Sequence, residues 1–382
     1  DMGTVSESTV DSGDAAINTF MVANPNLTDV RGLTKRYDPS QDGPSSLVST
    51  SALLSPSADM DDPKRVNFIA IQHSQGISAQ GYTPTPLRTG YERVLAHRTD
   101  DLFAKTAEQK GKVIKKTDQV ITIEYADGTQ KSYELGRRFG RSGDVEYPHS
   151  LVTPLQEGDT FKPGEAILYN ENFFSPDPLD PRQVIWKAGV MTRTAILESP
   201  NTFEDSSVIS EKVAEALGTQ ITKVRHVFLE FGQTIRHLVP VGTRVNPETI
   251  LCTIEDAVIT DNDLFNEDTL ETLRLLSGNA PRAKYEGVVE RIEVLYYGDI
   301  EDMSDSLQTL AKTYNKELAK KCKALNRPVV TGAVDDNIRI DANPLELDTM
   351  VVKIYITGHK KASTVDKGVF GNQMKTVFSR VM

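Results

Sequence analysis

The sequence predicts a mixed α+β fold that is rich in β structure and carries inserted helices. Several stretches alternate apolar and polar residues over strand-like lengths and end at Gly, Pro, Asn or Asp. Other stretches repeat apolar residues every three to four positions, which predicts amphipathic helices. With 382 residues, the chain is long enough for two or three domains.

Turn signals mark the strands most clearly in the middle of the chain. Asp127 and Gly128 stand between two β-branched runs, which predicts a hairpin. The phrase GDTFKPGEAIL at 158–168 predicts turn, strand, turn, strand, and it recurs loosely as PVGTRVNPETILCTI at 240–254. The recurrence indicates two related barrel-like or sandwich modules. Further alternating stretches predict strands at 287–297 and 351–356.

Apolar periodicity predicts three helices. The first covers 205–217, with Asp205 or Ser206 as its N-cap. The second covers 261–277. The third covers 302–325, and its late lysines suit the negative end of the helix dipole. A fourth helix is expected to start at a proline after two aspartates, with Arg65 near its start and Gln72 and Gln75 on its polar face.

Composition limits the class of protein. The 43 Lys and Arg against 54 Asp and Glu give a net charge of −11, which disfavours a protein that coats nucleic acid with its whole surface. The two cysteines form no CxxC pair, which excludes a disulfide framework. No stretch approaches the roughly 18 apolar residues of a membrane span. The chain begins at Asp1 rather than Met, so we expect either that it is a fragment or that its true start is missing.

Familiar catalytic motifs are absent, and two groups of residues remain as candidates. There is no P-loop, GxGxxG, HExxH or GxSxG pattern. Glu204 and Asp205 are either a helix cap or carboxylates held near a divalent cation. The stretch 359–380 holds five Lys and Arg against one acid. It is either a solvated basic tail or a set of cations that face phosphates.

Six stretches follow one another along the chain: VSTSALLSPSADMDDPKRVNF (48–68), QHSQG (72–76), PLRTGYE (86–92), RRFGRS with GDTFKPGEAIL (137–142 and 158–168), NTFEDSSVISEKV (201–213) and VVKIYITGHKKASTVDKGVFGNQMKTVFS (351–379). Together and in this order they resemble the catalytic, C-terminal half of the β subunit of multisubunit DNA-dependent RNA polymerases. The most specific is NTFEDSSVISEKV. Split β subunits of this kind resemble those of jumbo bacteriophages. The glycines that the family places around the second lysine of its last motif are absent here, although Lys367 and Lys375 keep their spacing of eight.

The resemblance implies an RNA polymerase β-type double-psi β barrel with sandwich-hybrid and flap-like elements. The barrel would be built from 201–260 and 345–382. A sandwich-hybrid-like region would cover 111–200, and fork or lobe-proximal loops and helices would cover 1–110. A flap-like insertion with helices would cover 261–344. The third predicted helix would then face a specificity factor or the RNA exit path, and its apolar residues would serve either an interface or the core.

The resemblance also implies a reaction, in which an RNA 3′ hydroxyl attacks the α-phosphate of an NTP. Mg²⁺ would be held mainly by a partner β′-like subunit, so the chain would be active only in a complex. The family's roles carry over to six residues. Glu204 and Asp205 would lie near the second, NTP-borne magnesium, Arg65 would contact the triphosphate, Lys367 and Lys375 would contact the RNA 3′ end, and Gln75 would line the RNA side of the hybrid.

The implied partners are a β N-terminal-half subunit, β′-like subunits, a promoter-specificity factor, the DNA template, RNA and NTPs, with no membrane. The expected location is the cytoplasm of an infected bacterial host, or the virion. The alternative is a non-enzymatic, β-barrel-rich phage structural or scaffold protein. That alternative explains the composition equally well, but it does not explain six ordered motifs.

Overall fold

The computed structural model describes residues 2–143, 145–202, 204–256, 280–371 and 373–382. Strands greatly outnumber helices in these ranges, which confirms the prediction of a β-rich mixed fold. The sheets are open, and the double-psi barrel stays a prediction. No helix in the described ranges is long and apolar enough to cross a membrane. The helix predicted at 261–277 lies outside the described residues.

The helices and strands of the described residues are numbered here in chain order. The helices are α1 (Thr50–Leu53), α2 (Pro63–Gln75), α3 (Tyr91–Leu95), α4 (Glu211–Ala216) and α5 (Asp305–Ala324). The first strands are β1 (Val5–Thr9), β2 (Thr19–Met21), β3 (Ala104–Thr106), β4 (Gly111–Lys116), β5 (Val120–Tyr125), β6 (Gln130–Glu134), β7 (Gly136–Ser142), β8 (Val145–Val152), β9 (Thr160–Phe161), β10 (Ala166–Asn170), β11 (Phe174–Asp177) and β12 (Asp180–Trp186). The remaining strands are β13 (Ser206–Ile209), β14 (Thr219–Glu230), β15 (Thr234–Arg236), β16 (Arg244–Val245), β17 (Thr253–Glu255), β18 (Gly287–Tyr297), β19 (Arg339–Ile340), β20 (Asn343–Pro344), β21 (Thr349–Lys360), β22 (Lys367–Phe370) and β23 (Met374–Val381).

The chain folds into two compact units, each made of segments that are distant in sequence. The first unit contains Asp1–Gly111, Leu151–Thr219 and Lys361–Met382. The second contains Lys112–Ser150 and Gln220–Lys360. The division into four regions that the resemblance implies stays a prediction.

The second unit is built on a long antiparallel ladder between β18 and β21. The ladder runs from Val288 opposite Thr357 to Tyr297 opposite Thr349. Most residues of β21 from Met350 to Ile356 are buried, because β-branched and aromatic side chains fill both of its faces. The strands predicted at 287–297 and 351–356 are thereby confirmed, and the second of them is longer than its apolar run.

Helix α5 closes this core with its apolar face. It begins three residues later than predicted, after a short 3₁₀ turn at Ile300–Asp302. Leu307 and Ala311 are fully buried, and Leu310 and Tyr314 pack against the same cluster. The apolar residues of this helix therefore serve the core, which was one of the two expectations, and do not form an exposed interface.

In the first unit, α2 has the predicted proline start. The Asp62 carboxylate accepts a hydrogen bond from the Lys64 N–H at 3.1 Å, and Pro63 occupies the first helical turn, where its missing N–H costs nothing. Val66 and Ile69 lie on the buried face of the helix. Strand β1 packs against α2, and the Thr9 N–H donates to the Asn67 side chain at 3.0 Å.

A three-stranded sheet with the order β13–β23–β22 also belongs to the first unit. β13 runs parallel to β23, with Ser206 opposite Val377, and β22 and β23 form an antiparallel hairpin. The helix predicted at 205–217 is wrong in its first half, because residues 206–209 pair with β23. The helix begins only after Ser210, whose hydroxyl accepts from the Val213 N–H at 3.2 Å.

The PLRTGYE stretch of the first unit is held by buried carboxylates. Glu92 is buried and accepts hydrogen bonds from the N–H groups of Thr89 and Gly90 at 3.1 and 2.8 Å. Asp177 is also buried and pairs with Arg88 at 3.1 Å and Arg93 at 2.7 Å. Burial acts to raise the pKa of Asp177, but hydrogen bonds from these arginines and from a backbone N–H outweigh it and hold the pKa below its ordinary value.

The stretches with predicted turns, at 127–128, 158–168 and 240–254, fold as their residues predict. Asp127 and Gly128 form the turn between β5 and β6, and Gly128 adopts a positive φ of 84° that a residue with a Cβ rarely takes. In the stretch 158–168 a turn leads into β9, and a second turn leads into β10. The similar stretch 240–254 repeats this order with β16 and β17.

Candidate functional site

All six residues to which the resemblance gives a role lie in the first unit, and all six are exposed. Two of them lie on β22 and β23, two immediately before β13, and two on α2. Residues more than 300 positions apart in the sequence therefore belong to one compact unit. The six residues are Arg65, Gln75, Glu204, Asp205, Lys367 and Lys375.

The two lysines share one face of the β22–β23 hairpin. Lys367 lies opposite Val377, and Lys375 lies opposite Val369. Since side chains alternate along a strand, residues 367, 369, 375 and 377 all project from the same face. All four are exposed, whereas Thr376 and Phe378 on the other face are buried. The lysines are thus diagonal neighbours on the open side of the hairpin.

The two carboxylate residues lead into the neighbouring strand of the same sheet. Glu204 adopts a left-handed backbone conformation with φ of 53°, which is uncommon for a residue other than glycine. The Asp205 carbonyl accepts a hydrogen bond from the Val377 N–H at 3.3 Å. Asp205 therefore lies beside β23, two residues along that strand from Lys375. Its predicted role as a helix cap is wrong, because the residues that follow it form β13.

One face of α2 carries Arg65, Phe68, Gln72 and Gln75, which are spaced i, i+3, i+7 and i+10. Such spacing places side chains in one row along a helix. The Arg65 guanidinium lies 5.6 Å from the centre of the Phe68 ring. The Lys375 ammonium lies 5.9 Å from the centre of the same ring. Two cations from distant parts of the sequence thus meet on one aromatic side chain, within the range of cation–π attraction.

The turn of the hairpin is tied to α2 and to the loop before it by polar contacts. The Gln72 side-chain amide donates to the carbonyl of Gln373 at 3.1 Å. The Gln373 side-chain amide in turn donates to the Asp61 carboxylate. These bonds fix the end of the hairpin next to Phe68. Sequence reasoning placed Gln72 on the polar face of α2 but did not identify Phe68 or Gln373 as part of the site.

The cations near the site differ in how firmly they are paired. Lys361 donates to the Glu211 carboxylate, and this hydrogen bond raises the pKa of Lys361. Arg380 donates to the side-chain oxygen of Asn201 at 3.2 Å. Among the carboxylates of the described residues, Asp11 is the one within ion-pair distance of Lys375, and this contact is long, at 4.0 Å between two exposed side chains. An exposed pair of that kind contributes little and is screened by salt, so Lys375 remains available to an anionic ligand.

The two carboxylates of Glu204 and Asp205 suit contact with the waters of a metal ion, and they do not form a complete metal site. In the described ranges, no group of three or more His, Cys, Asp and Glu side chains is arranged to hold a metal ion. Glu204 and Asp205 offer two adjacent exposed carboxylates. Mg²⁺ prefers oxygen ligands and retains several waters. Two such carboxylates can therefore bind the waters of an ion whose other ligands come from elsewhere.

The chain has a partial similarity to a known protein. No family model matches the chain. Over 125 residues the chain is 30% identical to the DNA-directed RNA polymerase subunit beta of Leifsonia xyli subsp. xyli (strain CTCB07). The matched stretch is 32% of this chain and 10% of that protein, so the chain spans about a tenth of the length of this curated relative. About a third of the chain is thus similar to a bacterial polymerase β subunit, which agrees in part with the resemblance given by the motifs.

Proposed function

We propose that this chain is the C-terminal, catalytic half of the β subunit of a split, multisubunit DNA-directed RNA polymerase of the jumbo-phage type. The observation that carries the proposal is the meeting of Arg65 and Lys375 on the Phe68 ring, with Lys367 on the same open hairpin face. The partial similarity to a bacterial β subunit supports the same family.

The surface formed by the hairpin face and the Arg65 face of α2 suits a triphosphate and the end of an RNA chain. Phosphoryl transfer spreads negative charge over the phosphate oxygens, and cations fixed beside those oxygens lower the barrier. Arg65 provides a planar guanidinium for the NTP triphosphate. Lys367 and Lys375 provide point charges for the RNA 3′ end and the phosphates next to it. Gln75, at the end of the same helix row, would line the RNA side of the hybrid.

Glu204 and Asp205 would serve a magnesium ion carried by the NTP. When bound, Mg²⁺ would neutralise phosphate charge during transfer. The two carboxylates would accept hydrogen bonds from its waters and orient them. A β′-like subunit would supply the direct ligands, since the described part of this chain offers no group of three.

The proposed function requires partners. A β N-terminal-half subunit and β′-like subunits would complete the enzyme, and a promoter-specificity factor would direct it to DNA. We also propose a double-psi barrel for the catalytic region. The strands of 201–260 pair with strands of 345–382, which supports this proposal: β13 pairs with β23, and β14 neighbours β21.

The test is replacement of the hairpin lysines in the assembled enzyme. We expect Lys367→Ala and Lys375→Ala each to slow single-nucleotide addition by about 100-fold, the usual effect of removing one charge-stabilising group. Both lysines are exposed, so subunit assembly should be unchanged. Rapid-quench measurement of RNA extension gives the rate, and gel filtration gives the assembly.

The matched control is Lys361→Ala. Lys361 lies in the same basic stretch and is exposed, but it is already bound to Glu211. Its loss should leave nucleotide addition within about twofold of wild type, as expected for an exposed ion pair. Normal extension by both hairpin variants would contradict the assigned roles.

A further inference from the structure

The aromatic ring of Phe68 lies on α2 beside the β22–β23 hairpin, and none of the six assigned roles belongs to it. Phe68 is half-buried, whereas Val66 and Ile69 next to it on the helix are buried. The ring therefore lies at the border between the core of the first unit and its open surface. A side chain in that position can contact charged groups from the surface side.

Ion pairs do little to hold the two cations beside this ring. Among the described residues, no carboxylate lies within ion-pair distance of the Arg65 guanidinium. The contact between Lys375 and Asp11, at 4.0 Å, is long and exposed, so salt screens it. Arginine and lysine also have much rotamer freedom to lose, and their like charges repel. A different contact is needed to keep both groups in one place.

The Phe68 ring provides a contact to both cations. The Arg65 guanidinium lies 5.6 Å from the ring centre, and the Lys375 ammonium lies 5.9 Å from it. Within about 6 Å, the negative face of an aromatic ring attracts a cation. Arg65 reaches the ring from one turn earlier on the same helix, and Lys375 reaches it from the hairpin. One side chain thus joins cations from two distant parts of the sequence.

We propose that Phe68 is a positioning residue, whose ring holds the Arg65 guanidinium and the Lys375 ammonium in place for their phosphate ligands. The inference rests on the proposed function, which gives those two cations their ligands. A phenyl ring suits this task because it attracts a cation without neutralising its charge. A carboxylate in the same place would compete with the phosphates. Phe68 acts through the two cations and not through a contact of its own with the substrate.

The first test changes the electrostatics of the ring and leaves its shape nearly unchanged. Phe68 is replaced in the assembled enzyme by phenylalanines with one to three ring fluorines, which withdraw electron density from the ring face. Loss of one exposed cation–π contact corresponds to roughly a two- to fivefold effect. With the trifluorinated ring, the KM for NTP should rise by about that factor, through Arg65. The rate at saturating NTP should fall by a similar factor, through Lys375, and the monofluorinated ring should lie between.

Natural substitutions provide the matched controls. Phe68→Leu removes the ring and should reproduce the trifluorinated enzyme, whereas Phe68→Tyr keeps the ring and should rescue both kinetic parameters. In the Phe68→Leu background, Lys375→Ala should cost about two- to fivefold less than in wild type. Lys367→Ala should cost the same in both backgrounds, because in the described ranges no aromatic ring lies within cation–π distance of Lys367.

The second test needs no catalysis, so it separates this inference from the proposed function. NMR of the full chain with isotope-labelled lysine detects the ε-methylene group of Lys375, and a Lys375→Arg variant assigns its resonance. The ring current of Phe68 should displace this resonance. The displacement should disappear in Phe68→Leu and persist in Phe68→Tyr, while the Lys367 resonance should stay the same.

Two results would overturn the inference. One is a set of kinetic parameters that stays constant along the fluorinated series, and the other is a Lys375 resonance that is the same in wild type and Phe68→Leu. A wild-type enzyme that makes no RNA, while its Lys375 resonance still responds to Phe68→Leu, would contradict the proposed function. It would leave Phe68 as the residue that holds the two cations.

Discussion

The β18–β21 ladder and the β22–β23 hairpin are both antiparallel, but they differ in what covers them. Side chains bury most of β21 on both faces, and α5 packs over the core beside it. The hairpin keeps one face open, with Lys367 and Lys375 on it, and polar contacts from α2 hold its turn. The buried ladder contributes stability, whereas the open hairpin leaves its cations free to bind.

The largest effect is expected from truncating the core that covers the ladder. Leu307→Ala should lower the stability of the second unit by about 2–5 kcal/mol, because Leu307 is fully buried and its loss leaves a cavity. Hydrogen exchange should become faster in β18 and β21 and stay unchanged in β22 and β23. The control is Thr313→Ala at an exposed position of the same helix. Equal changes of hydrogen exchange in both strand pairs would contradict the different roles given to the ladder and the hairpin.

A smaller effect is expected at the buried Asp177 carboxylate of the first unit, which pairs with two arginines. Asp177→Asn should cost about 1.5–3 kcal/mol at neutral pH, through weaker hydrogen bonds to Arg88 and Arg93. The single tryptophan, Trp186, lies on β12, which pairs with the strand of Asp177. Urea unfolding followed by tryptophan fluorescence therefore reports on this region.

The acid dependence of this ion pair has a definite sign. The folded-state pKa of Asp177 is lowered, so its stabilisation is present above the unfolded pKa of about 3.9 and is lost as pH falls through the folded value. The difference between wild type and Asp177→Asn should therefore shrink below about pH 4. A difference that stays constant across this range would show that the carboxylate charge is not the source of the stabilisation.

The smallest effect is expected at the long contact between Lys375 and Asp11. Asp11→Asn removes a carboxylate that competes with an RNA phosphate for this lysine, so the Kd of the assembled enzyme for the RNA 3′ end should fall by up to about fivefold at low salt. The effect should vanish at high salt, because both groups are exposed. Asp14→Asn, in the same loop, is the control. A rise in the Kd for RNA in the Asp11 variant would mean that Asp11 supports the site.

The sequence predicted those helices and strands that have a clear hydrophobic period or a recognisable capping residue. The strand at Gly287–Tyr297 and the helix that starts at Pro63 both follow from such signals. The helix predicted from 205 failed in its first half because the apolar residues of Ser206–Ile209 fit either period. Pairing with β23, which is about 170 residues away in the sequence, decides the structure there.

The site was predicted through motifs rather than through geometry. The resemblance named Arg65 and Lys375, but nothing in the sequence showed that both would lie against Phe68. That contact depends on the polar ties of Gln72 and Asp61 to the hairpin turn, which join residues some 300 positions apart. Only the i, i+3, i+7 spacing of Arg65, Phe68 and Gln72 pointed to a shared helix face.

The most direct test of the central claim is to purify the native complex through this chain. Mass spectrometry of the complex and NTP incorporation are measured on the same fractions. The polymerase account predicts β N-terminal-half and β′-like chains in the complex, and Mg²⁺-dependent RNA synthesis in those fractions. A lone chain or homo-oligomer without RNA synthesis would contradict the account and favour a structural or scaffold protein.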